Sequence, residues 1–209
     1  MHLPDGLLST PVWVAGDVIA VAALAGCVRS AERQLSDRQV PLMGVMGAFV
    51  FAAQMVNFPI PGGTSGHLLG AVLLAVLLGP AVASVVMFCV LLVQALLFQD
   101  GGITALGANF INMGLLGAFT GHLLVRAGPG TGHKLRHYLL VFAAAWLAVE
   151  GGAVLCSLEL WLSGRLPLGP ALVAMGGVHA LIGIGEGLLT VAALRLLYAA
   201  RPHLRESLS

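Results

Sequence analysis

The residues with the plainest chemistry are the first two, Met1-His2, together with a histidine that ends the string Pro61-Gly62-Gly63-Thr64-Ser65-Gly66-His67. A free amino group, the His2 backbone nitrogen and the His2 ring can wrap one small divalent cation in fused chelate rings. A second imidazole, that of His67, would complete a square. Four nitrogens in a plane suit Ni(II) and Cu(II), while imidazole more generally serves Zn, Cu, Fe and Ni. The scheme needs the first residue to be kept. Methionine is normally trimmed when residue two is small, so the bulk of His2 predicts that Met1 is retained. Met-His also arises by chance, and a histidine after a glycine-rich loop can simply cap a helix. The pair therefore gains weight only from the rest of the chain.

The elements that would position these groups are apolar. Of 209 residues, 58% are hydrophobic and 9% charged, with 28 glycines, whereas a soluble domain has about a quarter of its residues charged. This composition predicts an integral membrane protein. A net charge of +1 with no clustered basic face argues against nucleic acid as a partner. A cleaved signal peptide needs a positive start, but Met1 to Gly6 contains no Lys or Arg and carries Asp5. Cys27, Cys89 and Cys156 sit inside apolar runs at unrelated spacings and read as small core residues, not as a disulfide set or a zinc site.

Apolar runs fall at roughly 12–28, 41–57, 67–79, 80–98, 104–125, 138–162 and 170–198, against the ~20 residues that a membrane helix requires. The join at Gly79-Pro80 is ambiguous: two helices with a tight turn, or one kinked helix. Lys and Arg in short loops stay on the cytoplasmic side. With seven spans and the N-terminus outside, Arg29, Arg33, Arg38, Arg126, Lys134, Arg136, Arg195, Arg201 and Arg205 lie inside and Arg165 alone lies outside. Merging the third and fourth runs destroys that asymmetry. The predicted fold is thus all-α and polytopic: one domain over 1–209, seven transmembrane helices, N-terminus outside and C-terminus inside.

This topology places Met1, His2, Asp5, the loop through His67 and the loop Gln99 to Ile103 on one extracytoplasmic face. Glycine lets the backbone before His67 pass close to another segment. Non-helical backbone at membrane depth must be buried in protein or line a cavity, and an N-terminus tucked among the helices would bury it. Asn109 and Asn112, three apart on one predicted helical face, have two readings. They are interhelical hydrogen-bonding glue, or, with Gln94, Thr64 and Ser65, they surround the metal ligands and orient the imidazoles. Gly128-Pro-Gly-Thr-Gly-His-Lys-Leu superficially resembles a phosphate loop but lacks the Gly-Lys-[Ser/Thr] ending, so no ATPase is expected in this chain. Glu150, Glu159 and Glu186 lie in or near spans, and His179 stands two turns from Glu186 on the same face.

Met1-His2-Leu-Pro-Asp-Gly, Gly62-Gly63-Thr64-Ser65-Gly66-His67-Leu-Leu-Gly, Gln94 to Gly114, and His179-Ala-Leu-Ile-Gly-Ile-Gly-Glu186-Gly together span the chain. In them it resembles the CbiM/NikM family, the substrate-binding components of cobalt and nickel energy-coupling-factor (ECF) transporters. The resemblance implies Co2+ or Ni2+ as the transported substrate, held in near-planar geometry by the Met1 amine, the His2 amide nitrogen and ring, and the His67 ring. It also implies a prokaryotic cell membrane, cobalt import serving cobalamin biosynthesis, and no catalysis by this chain. The implied partners are a coupling transmembrane protein, a pair of cytoplasmic ATPases and a small accessory membrane subunit. The rival reading is a rhomboid-like intramembrane serine protease: Gly63-Thr-Ser65-Gly66-His-Leu-Leu-Gly70 fits its Gly-x-Ser-Gly string, with His179 as general base. In that family the histidine is followed by Gly at the third place, whereas here Gly183 falls one residue late.

Overall fold

Proline and glycine punctuate the apolar runs and fix where the helices start and stop. The computed structural model describes residues 1–36, 39–60, 64–128 and 134–201. Among these it has seven helices: α1 Thr10–Gln34, α2 Val40–Gln54, α3 Ala71–Leu78, α4 Pro80–Phe98, α5 Leu106–Arg126, α6 Lys134–Leu162 and α7 Leu168–Ala200. Pro80 opens α4, where a missing N–H costs nothing. Five helices, α1 and α4 to α7, are long and apolar enough to cross a membrane.

Of three local features, the first and third depart from the sequence expectation, and the second agrees with its seven-helix reading. First, the run at 67–79 is not one helix. Residues 67–70 are irregular, and α3 keeps only the eight residues from Ala71. The cause is local: Gly70 is left-handed, at φ +76°, and the amides of Leu69 and Gly70 are taken by a side chain of α7 instead of by a helical turn. Second, Gly79 at φ +80° resolves the Gly79-Pro80 join as a turn between two helices. Third, Phe58–Ile60 (β1) and Thr64–Gly66 (β2) form a short antiparallel pair, with Phe58 opposite Gly66 and Ile60 opposite Thr64. An alternating pattern of three residues is too short to read against helical neighbours.

Two helices carry π-helical turns: Gln94–Phe98 closes α4, and Phe110–Leu115 interrupts α5. Such turns recur at functional sites, and both of these lie beside the N-terminal segment. The centre of the molecule is α3, whose residues Ala71 to Val76 and Leu78 are all buried. It lies close against α5, where a Cβ on Gly117 would come 2.6 Å from that of Ala71. Of the three cysteines, Cys27 and Cys156 are core residues as expected, but Cys89 is exposed on the flank of α4; an apolar position in a membrane helix can face lipid as readily as protein.

Candidate metal centre

Residues 1–9 carry no helix, yet they are among the best-anchored in the protein. The Asn109 amide grips Leu3 as a strand would: Leu3 N donates to Asn109 Oδ1 at 2.8 Å and Asn109 Nδ2 donates to Leu3 O at 3.0 Å. Gly102 N donates to the same carbonyl at 2.8 Å. The Asp5 carboxylate accepts from Thr104 N at 2.7 Å and Thr104 Oγ1 at 2.6 Å, which holds its own pKa below the usual range. From the other side Arg165 donates to the carbonyls of Gly6 and Leu7, each at 2.8 Å. Buried backbone must be paired, and here helices α5 to α7 and their loops supply the partners. The result is burial of Met1, His2 and Leu3 to 1%, 3% and 0% exposure. The Met1 thioether fits because Gly152 of α6 is bare: a Cβ there would stand 3.0 Å from its sulfur.

His67 is set by a separate clamp. Glu186 of α7 accepts from Leu69 N through Oε2 at 2.8 Å and from Gly70 N through Oε1 at 2.7 Å. Gln94 Nε2 donates to Gln54 Oε1 at 3.0 Å, and Gln54 Nε2 donates to Leu69 O at 2.6 Å. The Leu69 and Gly70 amides and the Leu69 carbonyl are thereby committed, which anchors the loop that carries His67. His67 Nδ1 lies 2.7 Å from Leu68 O. That contact assigns the proton to Nδ1 and leaves Nε2 with a lone pair, buried and without a hydrogen-bond partner.

The two anchored segments bring the rings of His2 and His67 together, with centroids 4.4 Å apart and planes inclined by 18°. Neither ring nitrogen of His2 makes a hydrogen bond, although Nδ1 stands 3.1 Å from Asp100 Oδ1. Burial lowers the Met1 amine from 8.0 to about 5, against the opposing influence of Cys156 and Asp100. Near neutral pH it is therefore an uncharged donor. Burial, then the amine and the His2 ring, push His67 well below its ordinary value. For Asp100, burial alone would raise the pKa, but His2 and the Asn57 amide outweigh it and the net shift is downward. Nitrogen ligands must be deprotonated to bind metal, and these two are held in that state. Among the described residues no three His, Cys, Asp or Glu side chains form a metal cage.

The polar residues expected to orient the imidazoles are placed differently. Asn109 holds the Leu3 backbone, not a ring, and Asn112 donates to Glu159 Oε2 at 2.7 Å. The π turn begins at Phe110, between them, so a spacing of three does not give them a common partner. Gln94 acts through Gln54 on the His67 loop. The side chains of Thr64 and Ser65 lie outside the described residues, as do most of the loop from Gly128 and hence the phosphate-loop comparison. His179 Nδ1 is 2.7 Å from Met175 O, and no contact links it to Glu186 as its spacing had suggested. Residue type and spacing do not mark Asp100 or Gln54, mark Arg165 only by its side of the membrane, and mark Glu186 only as an intramembrane acid on the face of His179.

The sequence profile of the CbiM family, described as "Cobalt uptake substrate-specific transmembrane region", matches residues 2–204. A fused nickel transport protein NikMN of Rhodobacter capsulatus is 33% identical over 98% of this chain, which spans 63% of that protein. A protein of Archaeoglobus fulgidus, also named as a fused nickel transport protein NikMN, is 37% identical over 99% of this chain and 68% of its own length. The crystal structure of a truncated transition metal transporter superposes with a TM-score of 0.90 at 33% identity, covering 96% of this chain and 99% of that one. A profile match over nearly the whole length and a shared helical architecture agree: the chain belongs to the CbiM family and is a multi-pass membrane protein of transition-metal transport.

Proposed function

We propose that this chain is the non-catalytic, substrate-binding membrane subunit of an ATP-driven Co2+ or Ni2+ uptake transporter. Met1, His2 and His67 supply the ligands. The observation that carries the reading is an amine held neutral beside a buried His2 ring stacked on a tautomer-fixed His67 ring, with His2 Nε2 and His67 Nε2 lacking any hydrogen-bond partner. With the chain beginning at Met1, the amine, the His2 amide nitrogen and His2 Nδ1 close two fused chelate rings, and His67 Nε2 takes the fourth corner. That donor set favours cations that accept a nitrogen plane, and relatives named for nickel transport support it.

The membrane is crossed seven times with the N-terminus outside, as the charge asymmetry argues; α2 and the eight-residue α3 are too short to cross alone and do so together with flanking non-helical residues buried in protein. The whole of 1–209 acts as one domain in a prokaryotic cell membrane. Release toward the cytoplasm requires the N-terminal segment to part from His67, and the stretch from Gly128 lacks the Gly-Lys-[Ser/Thr] ending of a phosphate loop that could drive that motion. The work falls to a coupling transmembrane protein, a pair of cytoplasmic ATPases and a small accessory membrane subunit. Fused relatives, among them one of Methanocorpusculum labreanum named for a CbiMQ cobalt transport protein, support membrane partners. The groove of about 350 Å³ lined by Gly44, Gly47 and Ala48 is a candidate contact for the coupling protein. In a cobalt-using cell the imported ion would serve cobalamin synthesis. The test is metal uptake into vesicles: the chain alone should bind Ni2+ or Co2+ without accumulating it, and uptake should appear on adding the coupling protein and active ATPases. Strong concentrative uptake by the lone chain would contradict the reading.

A further inference from the structure

Resting on that reading, the charge of the loaded site has a consequence for a residue outside the ligand set. A divalent cation bound by a neutral amine, two neutral imidazoles and one amide nitrogen that has lost its proton leaves a net charge of +1. Such a charge in a buried, water-poor site is costly unless an anion stands beside it. The acids within reach differ in what they are free to do. Both oxygens of Glu186 are committed to Leu69 N and Gly70 N. Glu159 accepts from Asn112, and Asp5 is turned onto Thr104.

Asp100 alone among these touches the ligand set, with Oδ1 3.1 Å from His2 Nδ1. Its other oxygen accepts from Asn57 Nδ2 at 2.9 Å. Its backbone is fixed by the bond from Asp100 N to Gln94 O at 3.1 Å, just after Gln99 turns the chain in a left-handed conformation at φ 53°. The side chain is 15% exposed, so it sits at the rim of the site and not in its floor. Nδ1 is also the ring nitrogen that closes a six-membered chelate with the His2 amide; Nε2 is too far round the ring. Metal loading therefore takes Nδ1 away from Oδ1 and leaves a carboxylate oxygen facing the new positive charge.

We infer that Asp100 is the counter-anion of the loaded metal site: it pairs with the His2 ring when the site is empty and neutralises the +1 chelate when it is full. It is a positioning and charge-balancing group, not a fifth ligand.

The test titrates Ni2+ alone into the full-length, detergent-purified chain with an unmodified N-terminus, comparing wild type, Asp100→Asn and Asp100→Glu. Removing one charge a few ångströms from the metal should weaken binding by about 10- to 100-fold in Asp100→Asn. The visible absorption band of the bound Ni2+ should stay unchanged, because the four nitrogens remain. Asp100→Glu, which keeps the charge, should recover most of the affinity. Asp100→Asn binding as tightly as wild type would overturn the inference, as would a changed band or an Asp100→Glu no better than Asn. Should Asp100→Asn fail to fold, Asp100→Glu decides: affinity near wild type supports the role, and a tenfold loss with a shifted band contradicts it. A wild-type chain that takes up no Ni2+ would instead overturn the site reading itself, and this inference with it.

Discussion

Around Met1 the backbone at Leu3, Gly6 and Leu7 and the Asp5 carboxylate are held by partners more than 90 residues away in sequence; along α2, by contrast, the protein leaves apolar side chains uncovered. Val45 and Phe49 are 67% and 52% exposed, where Met1 and Leu3 are 1% and 0%. The two regions draw on the same kinds of residue and use them for opposite ends. Hydrogen bonds that cost little when satisfied fix one geometry at the N-terminal end. Along α2 small residues and bare aliphatics offer a surface that lipid or another helix can cover. A pinned N-terminal end and an uncovered α2 face are thus separated along the molecule, and under the proposed function substitutions should divide the same way.

The largest effect is expected at His67. Its ring is buried and tautomer-fixed and is the proposed fourth nitrogen, so His67→Ala should lower Ni2+ affinity by more than the ~100-fold seen for residues that only support ligands. Equilibrium dialysis showing unchanged affinity would break the contrast at its root. Next comes Glu186. Glu186→Ala leaves two buried amides without an acceptor, each a bond to a carboxylate. It should weaken metal binding roughly 10- to 100-fold and lower thermal stability by about 2–4 kcal/mol, measured by calorimetry of detergent-purified protein. Wild-type affinity in that variant would mean that the loop needs no clamp.

The pH dependence sharpens the electrostatic side. The Met1 amine is held at about 5 when docked, against 8.0 free, so the folded, metal-free state binds fewer protons than the unfolded one between those values. Its docking is fully favourable above about pH 8 and weakens as pH falls toward 5. For metal binding by the docked site, the amine is already neutral near pH 7, and the His2 amide must give up its proton. Affinity should therefore fall with a slope near one proton per metal between about pH 8 and 7, and steepen near pH 5 as the amine protonates. A slope of two throughout would show that the amine is charged in the site. The smallest effect belongs to α2: Gly44 has open space where its Cβ would be, so Gly44→Leu should change stability by no more than ~0.5 kcal/mol and leave metal affinity intact. It should nonetheless reduce ATP-dependent uptake in vesicles that contain the partners.

How far these regions can be read from sequence differs for the same physical reason. Long apolar runs declare helices, and the residue types of Met1, His2 and His67 mark them as candidates that the structure buries together. What holds them was not legible. The bonds from Glu186 to the His67 loop and from Asn109 to Leu3 join positions more than 100 residues apart, and an amide or carboxylate in a span is equally suited to a ring, a backbone or another side chain. Asn112 shows the ambiguity: its spacing from Asn109 suggests a shared task, and a π turn sends it to Glu159 instead. Asp100 was passed over because a lone acid in a glycine loop has no periodicity to mark it.

The account turns on the chain terminus acting as a ligand. The most direct measurement compares the metal content of protein beginning at Met1 with that of protein carrying one extra residue before it. An added residue makes the amine a peptide nitrogen, shifts the chelate ring pattern and intrudes where Met1 is 1% exposed. The account predicts near-stoichiometric Ni2+ or Co2+ in the first protein and almost none in the second, with a C-terminal extension harmless. Equal metal content in both would contradict it.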